Sequence, residues 1–223
     1  WSAGRLGPAA EFVQHEGSSV NQRRQESPHA HCIRLSPDER FVLVADLGLD
    51  EVLIYGYEPV EGSLSIASES LELPPGSGPR HFEFHPNGRW MYVANELTSA
   101  VSFAEWDAAA GRAVLRQTVS MLPDGFEGSN SAADIHVHPA GHTVYASNRG
   151  HDSLAVFSVG DTGELSLQGN VPIEGRTPRN FVVLPGGEWL LAAGQASDSI
   201  ASFRIDPETG WPEYSGHRID VPA

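Results

Sequence analysis

The sequence predicts an all-β fold assembled from one repeated unit of four antiparallel strands. Four proline-centred turns recur 49, 53 and 46 residues apart, at Pro37, Pro86, Pro139 and Pro185. Each of these prolines is followed by Asp, Asn, Ala or Gly and then by Glu or Gly, which is the composition of a β-turn. No segment keeps a 3.6-residue apolar period over three turns, so helices are not expected.

Within each unit the predicted strands follow one order. The first strand precedes the proline and covers residues 32–35, 82–84, 135–137 and 181–183. The second is the apolar run after the turn, at 41–45, 90–94, 143–147 and 189–193. The third lies at 52–57, 101–106, 154–159 and 200–205, beyond a short polar turn. The fourth follows turns around Gly62, Gly111, Gly163 and Gly210.

Four short strands in a unit of about 50 residues are typical of a β-propeller blade. The predicted blades cover 28–78, 79–131, 132–177 and 178–223. Residues 1–27 are expected to form the end of a preceding blade, because Gly4-Arg5-Leu6 corresponds to Gly62-Ser63-Leu64. A β-sandwich would not produce this self-similarity.

The charge composition argues against several classes of partner. The formal net charge is −15, and all 14 basic residues are Arg. An acidic surface repels phosphate backbones and anionic lipid, so neither nucleic acid nor membrane is expected as a partner. A small anionic substrate is compatible with the charge if the scarce Arg residues are concentrated in a pocket. The single Cys32 cannot form an intrachain disulfide, which favours a cytoplasmic location.

Positions that are equivalent in the repeats single out a candidate site. Six residues before the prolines stand His31, Arg80, Ala133 and Arg179, followed by Cys32, His81, Asp134 and Asn180. The first strand of a blade lines the central channel, so His31, Arg80 and Arg179 should lie near one mouth of it. Glu96 and Arg149, which follow second strands, are expected at the same mouth.

Several polar residues also have purely structural interpretations. Asp46, Asn95 and Asn148 recur at equivalent positions, which favours turn capping. Arg80 and Arg179 could instead form salt bridges between blades. Turn capping is also an alternative for His85, His136 and His138. His29 and His31 lack a third ligand at zinc spacing, so no metal is expected.

The motifs carry a family resemblance. They are Ser27-Pro28-His29-Ala30-His31, Gly78-Pro79-Arg80-His81, Asn95-Glu96-Leu97, Ala133-Asp134-Ile135-His136, Ser147-Asn148-Arg149 and Arg176-Thr177-Pro178-Arg179-Asn180-Phe181. Over residues 27–222 the sequence resembles the lactonase family of seven-bladed propellers. That family includes bacterial 6-phosphogluconolactonases, and fungal muconate-lactonizing enzymes are similar to it.

The resemblance implies hydrolysis of a sugar δ-lactone, 6-phosphoglucono-lactone by default, in the pentose phosphate branch of glucose metabolism, without metal or nucleotide cofactor. The implied catalytic residues are His31, Arg80, Glu96 and Arg179, with His29 as an alternative to His31. We expect Glu96, or His31 oriented by it, to be the base, and Arg80 to stabilise the oxyanion. Arg179, assisted by Arg149, would clamp the phosphate or carboxylate. The residues predicted to contact substrate are His29, His81, Asp134, His136, Asn148, Arg149 and Asn180.

Two other functions remain open, a non-catalytic binding scaffold and a muconate-type lactonizing enzyme. The length adds a further expectation, because seven units of 46 to 53 residues need roughly 320 to 370 residues. The sequence therefore predicts part of a longer propeller. Its two exposed blade faces would favour self-association.

Overall fold

A computed structural model describes residues 7–9, 11–66 and 69–221 of the chain. The first sheet contains β1 (Ala30–Leu35), β2 (Phe41–Asp46), β3 (Glu51–Glu58), β4 (Ser63–Ile66) and β5 (Leu71–Glu72). The second contains β6 (Pro79–Phe84), β7 (Trp90–Asn95), β8 (Ala100–Asp107) and β9 (Arg112–Ser120). The third contains β10 (Ser131–Val137), β11 (Thr143–Arg149), β12 (Ser153–Val159) and β13 (Leu165–Pro172). The fourth contains β14 (Pro178–Val183), β15 (Trp189–Gly194), β16 (Ser199–Ile205) and β17 (Pro212–Asp220).

Each sheet is an antiparallel meander in chain order, which confirms the predicted all-β fold of four-stranded blades. In the first blade the outermost position is shared, since β4 and β5 pair with opposite ends of β3. The strands lie within the four predicted segments, except that β10 begins at Ser131, one residue early. The predicted end of a preceding blade stays a prediction. Its Gly4-Arg5-Leu6 lies outside the described residues, and residues 7–9 and 11–29 contain no strand.

The hydrophobic core lies between consecutive blades. Leu43 and Ile54 of the first blade pack in one cluster with Phe82 and Met91 of the second. Corresponding clusters join the second blade to the third and the third to the fourth. Burial of each large apolar side chain stabilises the fold by about 1.5–3 kcal/mol, so every blade depends on its neighbours.

Two tyrosines tie neighbouring blades through hydrogen bonds. Tyr92 Oη donates to the Gly163 carbonyl at 3.0 Å, and Tyr145 Oη donates to the Gly210 carbonyl at 2.7 Å. Both glycines have positive φ, and a Cβ at Gly163 would collide with the Phe103 ring of the preceding blade. The turns around these glycines are therefore contact points between blades as well as reversals of the chain.

Two histidines make a second set of ties between blades. His85 Nε2 donates to the Gly141 carbonyl at 2.8 Å, and His138 Nε2 donates to the Gly187 carbonyl at 3.0 Å. The Nδ1 atom of each ring accepts a backbone N–H from the turn two residues later. The turn-capping interpretation of His85 and His138 is thus confirmed.

In every blade, the pairing between the first and second strands is irregular at an equivalent position. The pairing skips a residue between Ala30 and Cys32 in β1, and equivalent skips occur in β6, β10 and β14. The skipped residues are His31, Arg80, Ala133 with Asp134, and Arg179. A bulge bends a strand and re-aims a side chain, and bulges are enriched beside active sites. The fold therefore presents the candidate residues at one level of the channel wall.

The segment that precedes β1 packs on the first blade. Val13 contacts the cluster of Val42, Val44 and Tyr55, on the face that points away from the second blade. His15 links Asp46, at 2.6 Å from Nδ1, to the Tyr55 hydroxyl, at 3.0 Å from Nε2. This blade face is therefore partly covered by the chain itself. Self-association through blade faces stays a prediction. None of the helices found in the described ranges has the length and apolar character of a membrane span.

Candidate active site at the channel mouth

A cavity of about 350 Å³ opens at the channel mouth between the first, second and fourth blades. Its lining residues are His31, Arg80, His81, Arg179, Asn180, Ala193 and Gln195. Five of these seven were predicted as site residues. Gln195 was not, although it occupies the repeat position of Glu96 and Arg149, so the repeat comparison carried a signal for it.

Arg80 provides a fixed positive charge in the cavity wall. Its side chain is 2% exposed, and Nη1 donates to the Ala133 carbonyl at 2.6 Å. Burial lowers the pKa of Arg80, as does the neighbouring charge of Arg149, whereas Glu96 raises it. A guanidinium stays protonated in proteins, so the result is a cation whose electrostatic field is weakly screened by water.

Glu96 is enclosed by three guanidinium groups. Its Oε1 lies 2.7 Å from Arg24 Nη1, and its Oε2 lies 2.9 Å from both Arg80 Nε and Arg149 Nη2. Although burial opposes ionisation, the hydrogen bond from Arg24 and the charges of Arg149 and Arg80 hold the pKa of Glu96 below its usual value. Both oxygens are engaged and ionised, so Glu96 is poorly suited to accept a proton. The geometry instead makes it the anchor that positions Arg80.

Arg149 and Arg24 belong to this anchor rather than to the cavity. Arg149 Nη2 also donates to the Ala132 carbonyl at 2.7 Å, and the side chain is absent from the cavity wall. The expected assistance of Arg149 to Arg179 is therefore not supported. Arg24 was missed because it lies in the irregular segment before β1, where no repeat or periodicity marks a position.

His31 lies in the cavity wall as a neutral ring. Burial, with the Arg80 charge, lowers the pKa of His31 to about 4. Its buried Nδ1 has no hydrogen-bond partner among the described residues, and nothing described there links the ring to Glu96. The expectation that Glu96 orients His31 is therefore not supported by a hydrogen bond between them. The physical reason is that the three Arg side chains already occupy both Glu96 oxygens.

Asp134 lies beneath the cavity and holds two of its lining residues. His81 Nδ1 is 2.6 Å from Asp134 Oδ1, and Asn180 Nδ2 donates to Oδ2 at 2.6 Å. Burial opposes ionisation of this carboxyl, but the hydrogen bonds from His136 and His81 hold its pKa well below the usual range. At 1% exposure Asp134 is not part of the cavity wall. Its predicted contact with substrate is therefore not supported.

His136 is the partner of Asp134 on the side away from the cavity. Nδ1 lies 3.1 Å from Glu83 Oε2, and Nε2 lies 3.4 Å from Asp134 Oδ2. Burial favours the neutral ring, yet the hydrogen bonds to Asp134 and Glu83 raise the pKa of His136 to about 9. The ring packs edge-on against Phe181 at 4.8 Å and is not part of the cavity wall. Its predicted contact with substrate is therefore not supported.

Two further predicted contacts lie away from the cavity. His29 is exposed, and only its backbone is held, by an N–H donated to Asp46 Oδ1 at 2.7 Å. It is therefore not supported as the alternative to His31. Asn148 is fully buried, accepts a hydrogen bond from Asn130 and donates one to the Met121 carbonyl. Its amide thus binds residues that follow β9 of the second blade, and neither contact is the turn capping expected from the sequence.

The donor set of the cavity does not resemble a metal centre. Across 7–9, 11–66 and 69–221, the His, Cys, Asp and Glu side chains form no group of three or more that could hold a metal ion. Arg80, Arg179, the two imidazoles and Asn180 are instead suited to an anionic or carbonyl-bearing ligand.

Comparisons with known proteins agree with the fold and the motifs. Residues 2–223 match the family described as "Lactonase, 7-bladed beta-propeller". A 6-phosphogluconolactonase of Bacillus subtilis is 38% identical over 98% of this chain and 62% of its own length. The structure of a periplasmic gluconolactonase of Pseudomonas aeruginosa superposes with a TM-score of 0.92 and 34% identity, covering 99% of this chain and 62% of that one. The chain thus spans about three fifths of the length of these relatives.

Proposed function

From the premise that this chain belongs to the lactonase family of seven-bladed β-propellers, we propose that it hydrolyses a sugar lactone to the corresponding acid. The default substrate is 6-phosphoglucono-lactone. Relatives named 6-phosphogluconolactonase in Bacillus subtilis and Formosa agariphila, at 38% and 36% identity, support this choice. The single Cys32 supports a cytoplasmic place of action.

One observation carries the proposal: Arg80 and Arg179 line the same 350 Å³ cavity as two imidazoles. Hydrolysis of a lactone requires a water that loses its proton and a cation that stabilises the oxyanion developing on the carbonyl. The cavity offers groups of both kinds. Its volume lies within the usual range for a small-molecule site.

Arg80 is the proposed stabiliser of the oxyanion. Glu96 and the Ala133 carbonyl hold its guanidinium in place before substrate arrives, so little reorganisation is needed during the reaction. A preorganised donor of this kind contributes about 10²–10³ in rate. Arg24 and Arg149 would therefore serve catalysis indirectly, because they hold Glu96, which fixes the position of Arg80.

Arg179 is the proposed clamp for the anionic end of the substrate. Its side chain is exposed at the cavity, and no described carboxylate lies within 4 Å of it. A guanidinium in that state can bind a phosphate through two parallel hydrogen bonds. Neutral His31, which lines the same cavity, is placed to contact the lactone ring or the attacking water.

A non-catalytic scaffold is the competing function. Burial of the Arg80 and Glu96 charges carries a desolvation cost. A simple binding scaffold does not require two buried charges, so their presence favours catalysis. The same residues could also serve a muconate-type lactonization, in which a carboxylate of the substrate replaces water. Turnover of a lactone, turnover of a muconate and the absence of both separate these possibilities.

The test compares the hydrolysis of 6-phosphoglucono-lactone and of unphosphorylated glucono-lactone by the unmodified chain and by Arg179→Gln. We expect a rate above spontaneous hydrolysis for the unmodified chain. Arg179→Gln should raise KM for the phosphorylated lactone at least tenfold and leave the unphosphorylated one nearly unchanged. Arg112→Gln, at an exposed residue of β9 away from the cavity, is the matched control. A folded chain without activity on either lactone would favour the scaffold, and turnover of a muconate instead would favour lactonization.

A further inference from the structure

His81 and Asp134 form a dyad that the proposed function has not used. The Nδ1 of His81 lies 2.6 Å from Oδ1 of Asp134, on the strand of the next blade. An ionised carboxylate only accepts hydrogen bonds, so Nδ1 carries the proton and donates it. The other ring nitrogen, Nε2, then holds a lone pair. Among the described residues, Nε2 has no hydrogen-bond partner, and the ring faces the cavity.

Local backbone irregularities and several hydrogen bonds hold the two members of the dyad in place. His81 follows the bulged Arg80 in β6, and Asp134 lies in the irregular stretch of β10, so both strands depart from regular pairing where the two side chains meet. The amide of Asn180 and the backbone N–H groups of Ile135 and Phe181 saturate the Asp134 carboxylate. A carboxylate fixed on several sides can fix the tautomer and the orientation of the imidazole it binds.

The two bases expected from the sequence are less suitable. Both oxygens of Glu96 are paired with guanidinium groups. His31 has no described carboxylate in hydrogen-bond contact, and burial together with the nearby Arg80 charge lowers the pKa of its ring. Its ring packs edge-on against His81 at 5.4 Å, so it can form a wall of the pocket beside the dyad.

His81 lies between groups of opposite charge. On the cationic side stand Arg80, next to it in β6, and Arg179 across the cavity, with Glu96 behind Arg80. On the anionic side stands Asp134, with His136 and then Glu83 behind it. The ring of His31 faces it from β1. Asp134 is the only carboxylate in hydrogen-bond contact with His81 within the described part of the chain.

We infer that His81 is the general base and acid of this site and that Asp134 is its positioning residue, an inference that rests on the proposed lactone hydrolysis. His81 Nε2 takes a proton from water while the water oxygen bonds to the lactone carbonyl carbon. The carbonyl electron pair moves to its oxygen, beside Arg80. When that pair returns, the bond from carbon to the ring oxygen breaks. The ring oxygen takes the proton from Nε2 and leaves as a hydroxyl, so lactone and water give the hydroxy acid.

The test measures kcat and KM for the lactone from pH 5 to pH 9 with His81→Gln, Asp134→Asn and the control His217→Gln, a histidine on exposed strand β17. General acid–base catalysis contributes about 10²–10⁴ in rate. We therefore expect His81→Gln to lower kcat by at least 10² with KM within a few-fold, and His217→Gln to change neither. Asp134→Asn should lower kcat with KM within a few-fold, because the ring loses the carboxylate that fixes its orientation. Asp134→Glu should partly restore kcat.

A loss of fold is separated from a loss of chemistry by rescue. Imidazole added to His81→Ala should restore a measurable part of kcat, which a damaged fold would not allow. Hydrolysis by His81→Gln within threefold of the unmodified chain, with the same acidic limb, would overturn the assignment of His81 and leave the lactonase proposal standing. Absence of hydrolysis by the unmodified chain would overturn the lactonase proposal and the inference together.

Discussion

Arg80 Nε and Glu96 Oε2 meet 2.9 Å apart, with both side chains almost fully buried between the second and third blades. Arg24 and Arg149 complete the coordination of the carboxylate, so Glu96 neutralises part of a cluster of three cations. Loss of one partner from a buried ion pair leaves an uncompensated charge in a poorly solvated place. The pair is therefore a structural element as well as a feature of the site.

Glu96→Gln should lower the free energy of unfolding by about 3–5 kcal/mol, because Arg80 then stays buried without a counter-charge. Urea denaturation of the variant and of the unmodified chain measures the difference. Glu105→Gln, which breaks a solvent-exposed pair with Arg116, is the control and should cost less than about 1 kcal/mol. Equal effects of the two substitutions would contradict the structural role of Glu96.

Arg80→Gln should lower kcat for lactone hydrolysis by about 10²–10³, because the substituted amide carries no charge toward the oxyanion. KM should change little if the contact strengthens only in the transition state. Steady-state kinetics on the folded variant provides the check. A rise in KM with unchanged kcat would reassign Arg80 to ground-state binding.

His136 should make stability depend on pH. Its pKa is about 9 in the folded chain against 6.5 for an unperturbed histidine, because Asp134 and Glu83 hold the protonated ring. The stabilisation is therefore fully present below about pH 6.5 and is lost as the pH rises through 9. Each pKa unit corresponds to 1.36 kcal/mol, so the total is roughly 3 kcal/mol. Urea unfolding at pH 6 and pH 10 should show this loss, and His136→Gln should reduce it.

Tyr145→Phe should destabilise the contact between the third and fourth blades by about 1–3 kcal/mol, because the buried Gly210 carbonyl loses its hydroxyl donor. Tyr92→Phe removes the equivalent bond between the second and third blades and should have a similar effect. The measurement is thermal unfolding of both variants and of Tyr57→Phe, a half-buried tyrosine whose hydroxyl makes no such bond to a described residue. Unchanged melting of Tyr145→Phe would show that packing alone holds these blades.

Much of the fold could be predicted because it repeats locally. Each blade has one proline turn, one apolar run after it and one turn glycine, such as Gly111, Gly163 or Gly210. These features determine the conformation of residues that are close in sequence, so they can be recognised without the tertiary structure. The location of the site at one mouth of the channel could also be predicted, because equivalent positions in the first strands carry His31, Arg80 and Arg179. The sequence offered no sign of the bulges that turn these side chains toward the channel.

The roles within the site were decided by tertiary structure. Arg24 reaches Glu96 from an irregular segment, and Asp134 meets His81 from the next blade, at 53 residues' separation. Neither pairing produces a repeated pattern in the sequence. Both depend on how neighbouring blades pack and on how far a long side chain extends. The sequence alone determined that His31, Arg80 and Arg179 come to the channel mouth. Packing decided which polar groups are already neutralised by a partner and which still face the cavity.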